Sequence, residues 1–105
     1  MNEAIVVITN LPNQASAEAL ASILVDARQA ACVNILAPCR SVYRWKGQVE
    51  RAEEVPVLIK TTRNRYGELE QTIRAHHPYE IPEIIALPIE SAWGPYLDWV
   101  RAEVA

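Results

Sequence analysis

Between Cys32 and Thr61 the chain holds two extended stretches that meet at Lys46-Gly47, and their length limits the folds open to it. Cys32-Val33-Asn34-Ile35-Leu36 opens the first arm, Pro38 punctuates it, and it resumes as Ser41-Val42-Tyr43-Arg44-Trp45. The second arm is polar and alternating from Gln48 to Glu54, then apolar as Val57-Leu58-Ile59 before Lys60-Thr61. Each arm has about fourteen residues, which at ~3.3 Å per residue spans roughly 45 Å. A domain of this size has a radius of gyration of only ~13 Å. The arms therefore outrun the body of one subunit. A free hairpin edge carrying Tyr43, Trp45 and Val49 invites pairing with another chain. The alternative is that Pro38 or Pro56 breaks the arms into shorter pieces, and Pro56, which cannot donate to a ladder, marks a bulge or an unpaired edge. Period two puts Ser41, Tyr43 and Trp45 on one face and Val42 and Arg44 on the other.

The flanking segments complete the pattern. Ala4-Ile5-Val6-Val7-Ile8-Thr9 is a β-branched run without alternation, expected as a strand covered on both faces, and Asn10-Leu11-Pro12-Asn13 is expected to stop it. A helix is expected from an N-cap at Ser16, with Glu18 in its first turn, an apolar stripe at Leu20, Leu24, Ala27 and Ala31, and a small-residue end at Ala30-Ala31. A second helix, capped at Asn64, buries Tyr66, Leu69 and Ile73. Pro78 disfavours the α conformation at His77, so this helix ends at about His76. Ile84-Ile85-Ala86-Leu87-Pro88-Ile89 reads as another buried strand. Gly94-Pro95 starts a last helix with Trp93, Leu97, Val100 and Val104 on one side. The order β-α-β-β-α-β-α is an α+β fold: a ferredoxin-like split βαβ arrangement with an added C-terminal helix, in one domain spanning 1–105.

Charge and cysteine usage narrow the function classes. Ten Lys and Arg against thirteen Asp and Glu give a net charge of −3, and the basic residues are scattered, which argues against nucleic acid and anionic membrane as partners. No apolar run approaches the ~20 residues that span a bilayer. Met1-Asn2-Glu3-Ala4 has no basic leader region, and a cytoplasmic protein is expected. Cys32 and Cys39 are separated by roughly 23 Å if the strand is continuous at ~3.3 Å per residue, too far for a disulfide.

The chemistry-bearing residues gather in Ala75-His76-His77-Pro78-Tyr79-Glu80-Ile81-Pro82-Glu83, which holds both histidines of the chain. Gly47, Gly67 and Gly94 are isolated, so no phosphate loop can be written, and Ser41 and Ser91 lack a nucleophile elbow. Imidazole suits copper, zinc and nickel, and Cys39 as a thiol ligand would favour copper. Neighbouring helical residues diverge by about 100°, so a metal site would use one histidine and groups from elsewhere, another subunit included. The other reading, which the residues favour, is a structural helix terminus, with Glu80 and Glu83 neutralising the histidines. Cys39 stands between Pro38 and Arg40, whose guanidinium would favour thiolate; an inert small side chain is the other reading. Lys60 ends an apolar strand and needs a carboxylate, for which Glu54, Glu80 and Glu83 are available. With Tyr43 and Trp45 as aromatic walls this is either a small-ligand pocket or an ion pair at a subunit seam.

Ala31-Cys32-Val33-Asn34-Ile35, Ser41-Val42-Tyr43-Arg44-Trp45-Lys46-Gly47, Leu58-Ile59-Lys60-Thr61, His77-Pro78-Tyr79-Glu80-Ile81-Pro82-Glu83-Ile84 and Tyr96-Leu97-Asp98-Trp99 together resemble the CutA family, the divalent-cation tolerance proteins. The resemblance covers nearly the whole chain. It implies a ferredoxin-like subunit in a tight homotrimer with hairpins crossing between subunits, an association with copper or other divalent cations, and a cytoplasmic location. It implies metal-binding positions at His76 and His77, with Thr9 where relatives can carry a cysteine, and it carries over no catalytic activity. The ligand-cleft or inter-subunit candidates are Tyr43, Trp45, Glu54, Lys60, Tyr79, Glu80, Glu83 and Trp99. The alternative function is a signalling or small-molecule-sensing trimer, since the family resembles the PII regulators in architecture.

Overall fold

The computed structural model describes residues 3–105. Met1 and Asn2, half of the stretch read above for a leader, lie outside the described residues. The elements are β1 (Ala4–Leu11), α1 (Gln14–Asp26), β2 (Cys32–Ile35), β3 (Cys39–Trp45), β4 (Gln48–Thr62), a 3-10 turn (Arg63–Arg65), α2 (Tyr66–His76), β5 (Ile85–Pro88) and α3 (Gly94–Glu103). All strand pairs are antiparallel, in the order β2-β4-β1-β5, with β3 continuing along β4 beyond β2.

The hairpin takes a middle course between the two expectations for it. β4 runs unbroken from Gln48 to Thr62, whereas the first arm is divided into β2 and β3. Ile35 faces Val57 and Cys39 faces Glu54, so Leu36, Ala37 and Pro38 oppose only Val55 and Pro56. This is a bulge, with its extra residue on the first arm opposite Pro56. The Leu36 amide donates to the Pro56 carbonyl at 3.0 Å and holds the two arms together across it. At the far end Lys46 (φ 50°) and Gly47 (φ 80°) are both left-handed, the two-residue turn whose twist matches the strands it joins. β1 ends opposite Val55, so Gln48–Glu54 pair with β3 alone and the hairpin projects past the sheet. The molecule measures 44 Å along its long axis against 26 and 24 Å across.

Directly opposed residues share a sheet face. Ile5, Val7, Thr9 and Leu11 face Thr61, Ile59, Val57 and Val55, and all eight are buried. Ala17, Leu20 and Leu24 of α1 and Leu69 and Ile73 of α2 cover that face. α3 packs on β4 and β1, and its buried Val100, with Val104 just past its end, stands apart from this cluster.

Several local expectations change. β1 continues to Leu11, and the N-cap is Asn13, whose Oδ1 accepts the Ser16 amide at 2.8 Å; Ser16 is already helical and no acid lies in the first turn. α1 ends at Asp26 rather than Ala31, because Arg28 turns left-handed (φ 57°) and reverses the chain. Asn64 is inside the 3-10 turn, with its Oδ1 accepting the Thr62 hydroxyl at 2.7 Å. Trp93 is 77% exposed instead of sharing the buried side of α3. β5 is no buried strand: it is an edge, and Ile85 and Leu87 are about half exposed (46% and 50%). An apolar run without alternation needs two covered faces, and this chain supplies only one.

Thr9 Oγ1 is buried on the core face without a hydrogen-bond partner. Thr9→Val keeps the shape and removes that orphan hydroxyl, so it should stabilise the fold by about 1 kcal/mol. The thermal midpoint then rises by several degrees; a fall would mean that the hydroxyl is bonded.

Candidate functional site

Pro78 sets the site. It forces His77 into extended backbone (φ −90°, ψ 133°) at the end of α2, as expected from the sequence, and the His77 ring swings towards β1. Its Nε2 lies 2.7 Å from the Asn10 carbonyl, and the Tyr79 amide donates to Nδ1 at 3.2 Å. An amide can only donate, so Nδ1 is the acceptor and the proton is assigned to Nε2, which donates to Asn10. Burial pushes the His77 pKa below its ordinary 6.5, against the opposing pull of the Asn10 carbonyl and the Glu54 carboxylate. His76 faces solvent on the next helical position, its Nδ1 2.9 Å from the Thr72 carbonyl. That bond makes Nδ1 the donor and leaves Nε2 as the available nitrogen.

Beyond His77 the chain folds along the base of the hairpin and closes a cleft of about 620 Å³. Six of the ligand-cleft or inter-subunit candidates line it: Tyr43, Trp45, Glu54, Tyr79, Glu80 and Glu83. Each has a definite place. Glu54 faces Cys39 across the ladder and is only 7% exposed. It alternates with Val55, so it points to the sheet face away from the α1/α2 core. The Tyr79 phenol lies against it: burial first, then hydrogen bonding to Glu54, push the phenol pKa up to about 12. The Tyr79 and His77 rings are 4.8 Å apart. Glu83 accepts the Asn10 side-chain amide at 3.0 Å, and Glu80 lies 3.8 Å from the Lys46 ammonium. That ammonium stands 5.5 Å from the centre of the Trp45 ring.

Two candidates fall elsewhere. Lys60 pairs with Cys32 at the other end of β4 and donates to Asn34 Oδ1, so it meets an amide rather than a cleft carboxylate. Six residues of strand, about 20 Å, separate it from Glu54. Trp99 stacks on Tyr96 (5.7 Å) on α3, where burial and the neighbouring Cys32 raise the Tyr96 phenol above 10.0. Cys39 and Cys32 are both free thiols; Cys39 is exposed, with its Sγ 3.8 Å from Ser41 Oγ. Asn10 is the residue that sequence reasoning missed. It looks like turn chemistry, but β1 carries it into the sheet, where its carbonyl meets His77 and its side chain meets Glu83.

The sequence pattern of the family described as "CutA1 divalent ion tolerance protein" matches residues 5–103. The chain belongs to the CutA family. It is 44% identical over 96 residues to the divalent-cation tolerance protein CutA of Thermus thermophilus, covering 91% of this chain and 93% of that one. It is also 44% identical over 90 residues to human protein CutA, covering 86% of this chain but only half (50%) of the human protein. The solved structure of the Thermus thermophilus divalent cation tolerance protein superposes with a TM-score of 0.95 at 41% identity, over 97% of this chain and 99% of that one. The rice CutA1 structure gives 0.95 at 36% identity, over 98% and 94%.

The donors of this CutA chain do not converge on one ion. Among the described residues no three of His, Cys, Asp and Glu come together as a metal site. His77 spends both ring nitrogens on backbone, and Thr9 faces the core. Of the two histidines only His76 offers a nitrogen at the surface.

His77 is neutral in the folded chain and more easily protonated when unfolded, so the unfolded state takes up more protons and stability rises with pH. Thermal stability should be full above about pH 6.5, the ordinary histidine value, and decline as pH falls through the depressed folded pKa. His77→Ala should lose about 2 kcal/mol at pH 7.5 and flatten that decline. An unchanged slope between pH 7 and 5 would remove His77 as its source.

Proposed function

We propose that this CutA chain is a one-domain, ferredoxin-like subunit of a non-catalytic cytoplasmic homotrimer that serves divalent-cation tolerance, meeting divalent metal, copper first, at His76. The observation that carries the assembly is the projecting hairpin, whose Gln48–Glu54 segment has an unpaired edge. Ile85 and Leu87 add to it, since they stand beside Ile8 and Val6 on the face away from the α1/α2 core. Open ladder edges and exposed apolar surface on one side call for another copy. The metal reading is supported by the family's description and by the free Nε2 of His76. One imidazole per subunit makes that contact weak within a single chain, and the trimer multiplies it. Free Cys32 and Cys39 suit a reducing compartment. A second reading, a PII-like sensor of small molecules, is favoured by the cleft and its three aromatic and three carboxylate walls.

Light scattering should return three times the 11.8 kDa chain mass; a monomer at micromolar concentration would refute the assembly. Leu87→Ala, on the exposed apolar face of β5, should weaken association by about 2 kcal/mol, as loss of an apolar side chain buried by a second copy does. In a copper titration His76→Ala should lower affinity at least tenfold while His77→Ala mainly lowers the thermal midpoint. Unaltered copper binding by His76→Ala would move the metal elsewhere.

A further inference from the structure

We propose that the cleft at the hairpin base binds an organic cation through a primary ammonium group, held between Trp45, Glu80 and the buried carboxylate of Glu54. This rests on the second reading above, that the cleft is a ligand site, and names the chemistry of its ligand.

Three observations converge on it. Glu54 is 93% buried by its 7% exposure, lines the cleft, and has no Lys, Arg or His within ion-pair distance among the described residues. A carboxylate withdrawn from water without a counter-charge is costly, and the Tyr79 phenol offers it one hydrogen bond rather than a charge. The walls are aromatic, and aromatic faces attract ammonium groups. Among the described residues no Lys or Arg lines the cleft besides the Lys46 ammonium that reaches its edge, which disfavours an anionic ligand.

The protein's own Lys46 displays the recognition. Its ammonium reaches from the hairpin turn to lie 5.5 Å from the Trp45 ring centre and 3.8 Å from Glu80. Both Lys46 and Glu80 side chains are 70% exposed, so this contact is weak and readily displaced. An incoming amine would take the same ring face and carboxylate and place its chain towards Glu54. The carboxylates do not converge on a point, as an inorganic cation would need, but are spread along a cleft of about 620 Å³, which fits a small organic molecule. Asn10, by holding Glu83 at 3.0 Å, keeps one of them fixed in the wall.

The test is calorimetric titration of the assembled full-length protein at low salt with 1,4-diaminobutane. Its neutral isostere 1,4-butanediol serves as control, and a lysine-containing tripeptide separates a free amine from a peptide side chain as the source. The expected result is saturable diamine binding, none of the diol, and at least tenfold weaker binding by Glu54→Gln. Lys46→Ala is the decisive variant: it lies at the exposed turn, leaves the core untouched, and should bind the diamine at least threefold tighter because an internal competitor is gone. Tighter tripeptide than diamine binding supports the ammonium and assigns a peptide source. Absence of diamine binding by both parent and Lys46→Ala, equal binding of the diol, or a tenfold loss in Lys46→Ala would each overturn the proposal. If a neutral or anionic small molecule instead shifts the thermal midpoint and loses that shift on Tyr43→Leu, the ammonium fails while the cleft remains a ligand site.

Discussion

One strand carries two jobs, and the rest of the molecule is arranged around that. In its second half β4 is held on both sides, by β2 and by β1, and its Val55, Val57, Ile59 and Thr61 make half of the covered sheet face. In its first half the same strand has β3 on one side and, among the described residues, no strand on the other. A β-strand cannot end its ladder without exposing amides and carbonyls, so the point where β1 stops at Leu11 is where the subunit becomes incomplete. The bulge opposite Pro56 falls at that same point, which lets the hairpin change direction as it leaves the sheet.

The site grows from this transition. Glu54 and Val55 are buried on opposite faces of β4, the first by the segment after α2 and the second by the core. His77 ties that segment down through backbone groups at Asn10 and Tyr79, so the end of a helix is fixed to the end of a strand. A histidine used this way is unavailable as a metal ligand without breaking the anchor. The adjacent His76, one helical step away, is free to meet solvent. Adjacent residues of one type thus acquire different chemistry from the backbone geometry imposed by Pro78.

The CutA chain presents an acidic, aromatic cleft beside an open sheet edge, and the two proposed recognition surfaces are built from them. The apolar face bearing Ile85 and Leu87 suits another copy of the chain. The cleft, with its buried carboxylate, suits a charged small molecule. Both lie on the side away from the α1/α2 core, so the proposed assembly and ligand surfaces share that side of the sheet.

Sequence alone determined the elements with strong local causes. Pro78 ends α2 at His76 because proline disfavours the α conformation before it, and Lys46-Gly47 reverses the hairpin because Gly47 takes left-handed backbone without steric cost. The grouping of Tyr43, Trp45 and the carboxylates as one candidate region was legible from alternation and clustering. The places where reading failed involve choices that no local pattern encodes. Asn10 and Leu11 carry turn residues' chemistry yet extend β1, because β4 offers them a ladder. β5 has the composition of a strand covered on both faces, and only the sheet order reveals that it is an edge. Lys60 and Glu54 are near in sequence, but strand rise separates them and sends the lysine to Asn34. Tertiary structure alone decided that His77 is an anchor and His76 a surface group, because that depends on which strand the ring meets when the helix stops.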